Sequence, residues 1–402
     1  MSVLRDALYD AAYRFRKSKL WGKICDTQIF AIKLPDGEYG YVSIVRMAGN
    51  DYAIAIFVGE VGFNGYRRVL YHHDEFSDFE IVISQDCMQL CYSAKDYMLS
   101  DELKEAQAYM RKNNIRIDGD NTYPKFMRIR PNCTPWKIDT AKDAMALIKA
   151  AEVSILLSDR IDEVGAQALG LNKIDKDTKN VSLFDVVDGE LKICGLAPVP
   201  GDKEITYEYV KTTNQTTIDA VRNLPKSGIW DAQLVRIPHS CRSSPNEAAY
   251  YPQILIMFNE EDKNFLPMSL MEGVNPDPQI ILWDYAKCWR SENFYPKEIR
   301  CVDELTYAYL KDFSEKTDVL ISLYKGDISA FHHAKEHFFY RLSDPAFEEA
   351  VKEMEKMAEL ALKMPFDVFR KLPDEMIQTL HASLNFLPED LAKRLEKRLG
   401  RL

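Results

Sequence analysis

Residues 251–270 read YPQILIMFNEEDKNFLPMSL, and they decide the fold class of the second half of the chain. Residues 253–258 (QILIMF) read as a strand, apolar from Ile254 to Phe258. Asn259-Glu260-Glu261-Asp262-Lys263-Asn264 has the polar composition of a turn, and 265–271 return as the partner strand. Upstream, 229–237 read as a strand. Downstream come a helix at 278–291 with Trp283 and Trp289, a short strand at 299–302 ending at Asp303, a helix at 305–316 and a strand at 318–323. Strands followed by alternating helices and strands predict an α/β domain.

The first half reads as a helix followed by strands. Leu4, Leu8, Ala11, Ala12 and Phe15 recur at helical spacing over 3–19. Residues 29–34 and 39–46 are β-like runs joined by Pro35-Asp36-Gly37-Glu38, and Gly49-Asn50 signals a further turn before the apolar YAIAIFV of 52–58. The glycines that follow (59, 62 and 65) have GxxGxxG spacing rather than the GxGxxG of a dinucleotide fold, so they predict a strand-to-helix turn with close backbone packing. Further strands are expected at 79–84, 88–93 and 123–130, helices at 100–113 and 139–157, and short strands over 181–210. The polar stretch 206–224 leads into Pro225-Lys226-Ser227-Gly228, a domain junction by composition. Residues 332–402 look helical throughout. The expected class is α+β with mixed α/β character. It comprises an α+β domain over 1–224, an α/β domain over 225–326 and a helical region over 327–402.

The 402 residues carry 52 Lys and Arg against 62 Asp and Glu, a formal charge of -10. That balance disfavours a nucleic-acid coat, which replaces counterions on phosphate with positive side chains. No run approaches the ~18 apolar residues that span a bilayer. The charged start Met1-Ser2-Val3-Leu4-Arg5-Asp6 lacks an apolar leader, so a cytoplasmic location is expected. The eight cysteines form no CxxC pair; Cys87 and Cys91 are four apart with no second pair at zinc spacing, and all eight read as reduced, small apolar residues. Phosphate-loop, GxSxG and HExxH motifs are absent from the sequence.

Trp230, the 251–270 hairpin and YPKEIRCVDE at 295–304 together resemble the RNase H-like core of retroviral-type integrases. Across residues 20–325, with LPDGEYGYVS at 34–43 in the first half, the chain also resembles an uncharacterised bacterial two-domain family. The integrase resemblance implies three carboxylates around Mg²⁺ or Mn²⁺. By position Asp303 matches the second acid, with Asp231 as the candidate first and Glu336 as the candidate third. The match departs from that pattern in two places. The first acid is expected about three residues after the Trp, where Gln233 stands, and Glu304-Leu305 replaces the Asn-Gly expected after the second.

His333 and His337 are a separate candidate metal pair, because two imidazoles four apart share one helix face. Taken together, the favoured reading is a non-catalytic interaction protein on a degenerate RNase H-like core, with a protein partner and no cofactor. The alternative is a Mg²⁺- or Mn²⁺-dependent nuclease using Asp231, Asp303 and Glu336.

Overall fold

The computed structural model describes residues 2–46, 52–72, 77–116, 119, 122–201, 207–242, 244, 247–267, 271, 273–342, 345–373, 376–377, 379–380 and 389–400. Contacts divide the chain into two units, Met1–Glu204 with Arg242–Tyr250, and Ile205–Cys241 with Tyr251–Leu402. The turn expected at Gly49-Asn50 lies outside the described residues. The class is the expected α+β one, built on two mixed sheets.

In the first unit the order is α1 (Ser2–Ser18), β1 (Phe30–Lys33), β2 (Tyr39–Arg46), β3 (Tyr52–Val58), α2 (Gly59–Tyr71), α3 (Asp78–Ile83), β4 (Cys87–Ser93), α4 (Ser100–Lys112), β5 (Tyr123–Ile129), β6 (Trp136–Lys137), α5 (Ala141–Val164), β7 (Asn180–Val187) and β8 (Glu190–Pro198). One eight-stranded sheet runs β6-β5-β4-β3-β2-β1-β7-β8. Its neighbours are antiparallel except β1 and β7, which run parallel because α5 returns the chain across the sheet. The apolar β3 is explained by its two covered faces. Ile54 and Ile56 pack with Leu8 and Phe15 of α1 and Leu147 of α5, while Ala55 and Phe57 join Phe63 and Tyr66 of α2.

The glycines of α2 are packing residues, as expected. A Cβ on Gly62 would lie 2.3 Å from the Asp86 carbonyl oxygen, and one on Gly65 would lie 3.1 Å from that of Ser84. The Glu38 carboxylate sits against Gly59, at the start of α2, where a phosphate would otherwise meet the helix. One expectation fails locally. Residues 79–84 read as a strand, yet Asp78–Ile83 is a helix. Ser77 and Glu80 form a reciprocal capping box there, with the Ser77 amide donating to Glu80 Oε2 at 2.9 Å, and this overrides the β-branched composition.

In the second unit, α6 (Gln215–Arg222) precedes β9 (Ile229–Arg236), β10 (Gln253–Asn259), β11 (Asn264–Pro267), α7 (Pro278–Glu292), β12 (Glu298–Cys301), α8 (Glu304–Lys316), β13 (Leu320–Leu323) and α9 (Ser329–Leu342). The polar stretch read as a junction therefore contains a helix. Asn214 caps α6 by accepting from the Thr216 amide at 3.0 Å, and Ile218 and Val221 are buried.

The five-stranded sheet has the order β11-β10-β9-β12-β13; β9, β10 and β11 are antiparallel, whereas β9, β12 and β13 are parallel. One face packs Trp230, Leu234 and Met257 against Tyr285 and Trp289 of α7 and Phe313 of α8. The two tryptophan rings meet edge-on at 4.8 Å. The other face packs Ile254, Ile256 and Phe258 against Phe331 of α9. Beyond α9, α10 (Pro345–Lys363), α11 (Phe366–Phe369) and α12 (Glu389–Leu399) bury Ala358, Phe369, Leu395 and Leu399 in a cluster of their own. Among the described residues no helix is long and apolar enough to cross a membrane.

Candidate functional site

Strand β9 alternates, so Trp230 and Ala232 enter the core under α7 and α8, while Asp231 and Gln233 share the opposite face. Parallel pairing sets Asp231 beside Arg300 of β12. The guanidinium grips the carboxylate with both arms, Nε to Oδ1 at 2.6 Å and Nη2 to Oδ2 at 2.8 Å. Glu260 reaches the same guanidinium at 3.5 Å, and the Tyr324 ring lies 4.3 Å from it. The Asp231 side chain is only 5% exposed. Burial raises its pKa above the ordinary carboxylate value, and the hydrogen bonds and charge of Arg300 oppose that rise.

Asp303 ends the strand run and caps α8. Its Oδ1 accepts from the Thr306 amide and hydroxyl, both at 2.7 Å. The same Thr306 hydroxyl accepts from the Leu234 amide at 2.8 Å, which ties the helix start to β9. Asp303 Oδ2 accepts from Gln233 Nε2 at 2.9 Å, and Gln233 Oε1 in turn accepts from Lys335 Nζ of α9 at 3.0 Å. A chain of hydrogen bonds therefore runs Lys335–Gln233–Asp303–Thr306–Leu234.

Of the sequence candidates, Asp231 lies on β9 and Asp303 caps α8 just past the end of β12, whereas Glu336, His333 and His337 are exposed on α9. Among the described residues no group of three or more His, Cys, Asp and Glu side chains is placed to hold a metal ion. Sequence reasoning missed Arg300 and Lys335. Arg300 is three residues before Asp303, in the quoted YPKEIRCVDE strand. Lys335 lies within HHAKEH, one position from the acid that drew the eye.

Thiol chemistry is opposed at two cysteines: burial pushes Cys87 up to about 12 and the half-buried Cys288 up to about 11.

Residues 6–181 match the family model of a domain of unknown function, DUF7309, and residues 217–339 match that of a second domain of unknown function, DUF6930. No curated protein and no solved structure matches the chain. The two matched segments follow one another along the chain, so it resembles an arrangement of two domains of unknown function.

Proposed function

We propose that this is a cytosolic, non-catalytic protein that binds a protein partner, with its second domain built on a degenerate RNase H-like core. The connectivity supports that core: a three-strand antiparallel meander, then two helix-linked strands added in parallel on the other side of β9. The observation that carries the non-catalytic reading is the Lys335–Gln233–Asp303 chain. A two-metal nuclease needs carboxylate oxygens free to face a cation. Here a neutral amide holds one position, and an ammonium approaches it from the helix. Both oxygens of Asp303 take hydrogen bonds, and both of Asp231 take Arg300. The residues present do not suit Mg²⁺ or Mn²⁺.

The test is thermal unfolding of wild type and Asp303→Asn with and without millimolar Mn²⁺, alongside incubation with single- and double-stranded DNA and RNA. A ligand of the folded state raises the midpoint by mass action. The expected result is no Mn²⁺-dependent rise and no cleavage. A rise in wild type that disappears in Asp303→Asn would overturn the proposal in favour of the nuclease.

A further inference from the structure

In the first unit, a surface cleft of about 390 Å³ lies at the end of α4, lined by Gln107, Met110, Arg111, Asn114, Ile115, Arg116 and Tyr123. Its size falls within the range of small-molecule sites. Asn114 adopts a left-handed φ of 50°, the Ile115 amide donates to the Met110 carbonyl at 2.9 Å, and the Asn114 amide donates to that of Arg111 at 3.4 Å. This is a Schellman closure, and the two residues at its ends, Met110 and Ile115, both line the cleft. It has two consequences. The Tyr109, Met110 and Arg111 carbonyls near the end of α4 are occupied, which weakens the negative end of the helix as a deterrent to anions. The chain also turns back, so that Arg116 lines the same cleft as Arg111.

Neither guanidinium has an ion-pair or hydrogen-bond partner among the described residues, in a chain with 62 acidic side chains. Met110, Ile115 and Tyr123 are partly buried against the main core and give the cleft an apolar floor. Gln107 and Asn114 add amide donors and acceptors.

The geometry points to a binding site for a phosphate monoester of mononucleotide size, its phosphate held by Arg111 and Arg116 and its flat body on Tyr123, Met110 and Ile115. Guanidinium pairs suit phosphate through bidentate hydrogen bonds. The site lies in the first unit and does not depend on the reading of the second.

The test is isothermal titration of the full chain with the four 5′-mononucleotides and with inorganic phosphate, at low ionic strength. The variants are the double Arg111→Ala/Arg116→Ala and, as a charge control, Arg14→Ala. We expect at least one nucleotide to bind more tightly than phosphate, with affinity falling by ~10-fold or more in the double variant, as for loss of charged hydrogen bonds, and unchanged in Arg14→Ala. Absence of binding by all four nucleotides overturns the proposal. So does binding that survives the double variant, or equal loss in Arg14→Ala. Phosphate binding as tightly as the nucleotides means an adventitious ion only, and overturns it too.

Discussion

Replacing Arg300 with Met leaves the Asp231 carboxylate buried without its counter-charge. Two hydrogen bonds of 2.6 and 2.8 Å are lost at a side chain only 5% exposed, so water cannot substitute for them. Removing one partner of such a pair costs about 3–5 kcal/mol. A ceiling comes from protonation: a carboxyl with an ordinary pKa of 3.8 can escape at pH 7 by taking a proton, at a cost of ~4 kcal/mol. The expected loss for Arg300→Met is therefore about 4 kcal/mol at pH 7. Glu260 also loses a contact, but it is solvated and contributes little.

The sign of the pH dependence follows. The folded-state pKa of Asp231 lies above its unfolded value, so the folded state binds the extra proton. Stability from this group is highest below about pH 4 and falls as pH rises toward the folded pKa. Removing Arg300 lifts that pKa further and widens the window upward. The deficit of Arg300→Met against wild type should therefore shrink to ~1 kcal/mol near pH 4. The double variant Asp231→Asn/Arg300→Met should recover most of the loss at pH 7. Urea unfolding followed by fluorescence of the buried Trp230 and Trp289 reads both quantities. An equal deficit at pH 4 and pH 7, or a double variant as unstable as Arg300→Met, would refute the reasoning.

Gly62→Ala should destabilise the first unit by several kcal/mol, because its Cβ meets backbone at 2.3 Å; Gly59→Ala should cost only ~1 kcal/mol, since the obstructing Glu38 side chain can swing away and the left-handed φ of 56° supplies the remaining strain, and paired denaturation curves compare the two. Trp289→Ala should cost about 3–5 kcal/mol by emptying the second core, read as a lower urea midpoint with little change in slope. Thiol labelling of the native protein should modify exposed Cys194 first, with buried Cys87, Cys133 and Cys301 reacting only on unfolding; mass mapping with time checks the order.

Much of the element list was determined by the sequence alone, because burial periodicity is local. The stripe of Leu4, Leu8 and Phe15 produced α1, and the run 253–258 produced β10. Pro35-Asp36-Gly37 produced the β1–β2 turn, where Gly37 takes a φ of 87° that suits glycine. Where two local signals competed, the sequence misled. Residues 79–84 are rich in β-branched side chains, but the Ser77–Glu80 capping box won. The polar text of 206–224 concealed the two apolar residues that seat α6.

The candidate site was half legible. Asp231 and Asp303 stood out as acids beside strand signals, and Gln233 stood out as the missing one. That Arg300 grips Asp231 depends on the parallel register of β9 and β12, strands separated in sequence by a hairpin and a helix. That Lys335, rather than Glu336, reaches Gln233 depends on how α9 lies on the sheet, which is set by Phe331 packing beside Ile256 and Phe258. Register and helix rotation are properties of nonlocal packing, and a shift of one residue turns a different side chain inward. The sequence therefore determined which residues form strands and helices, and the tertiary structure decided that the polar cluster is closed by an amide and two cations.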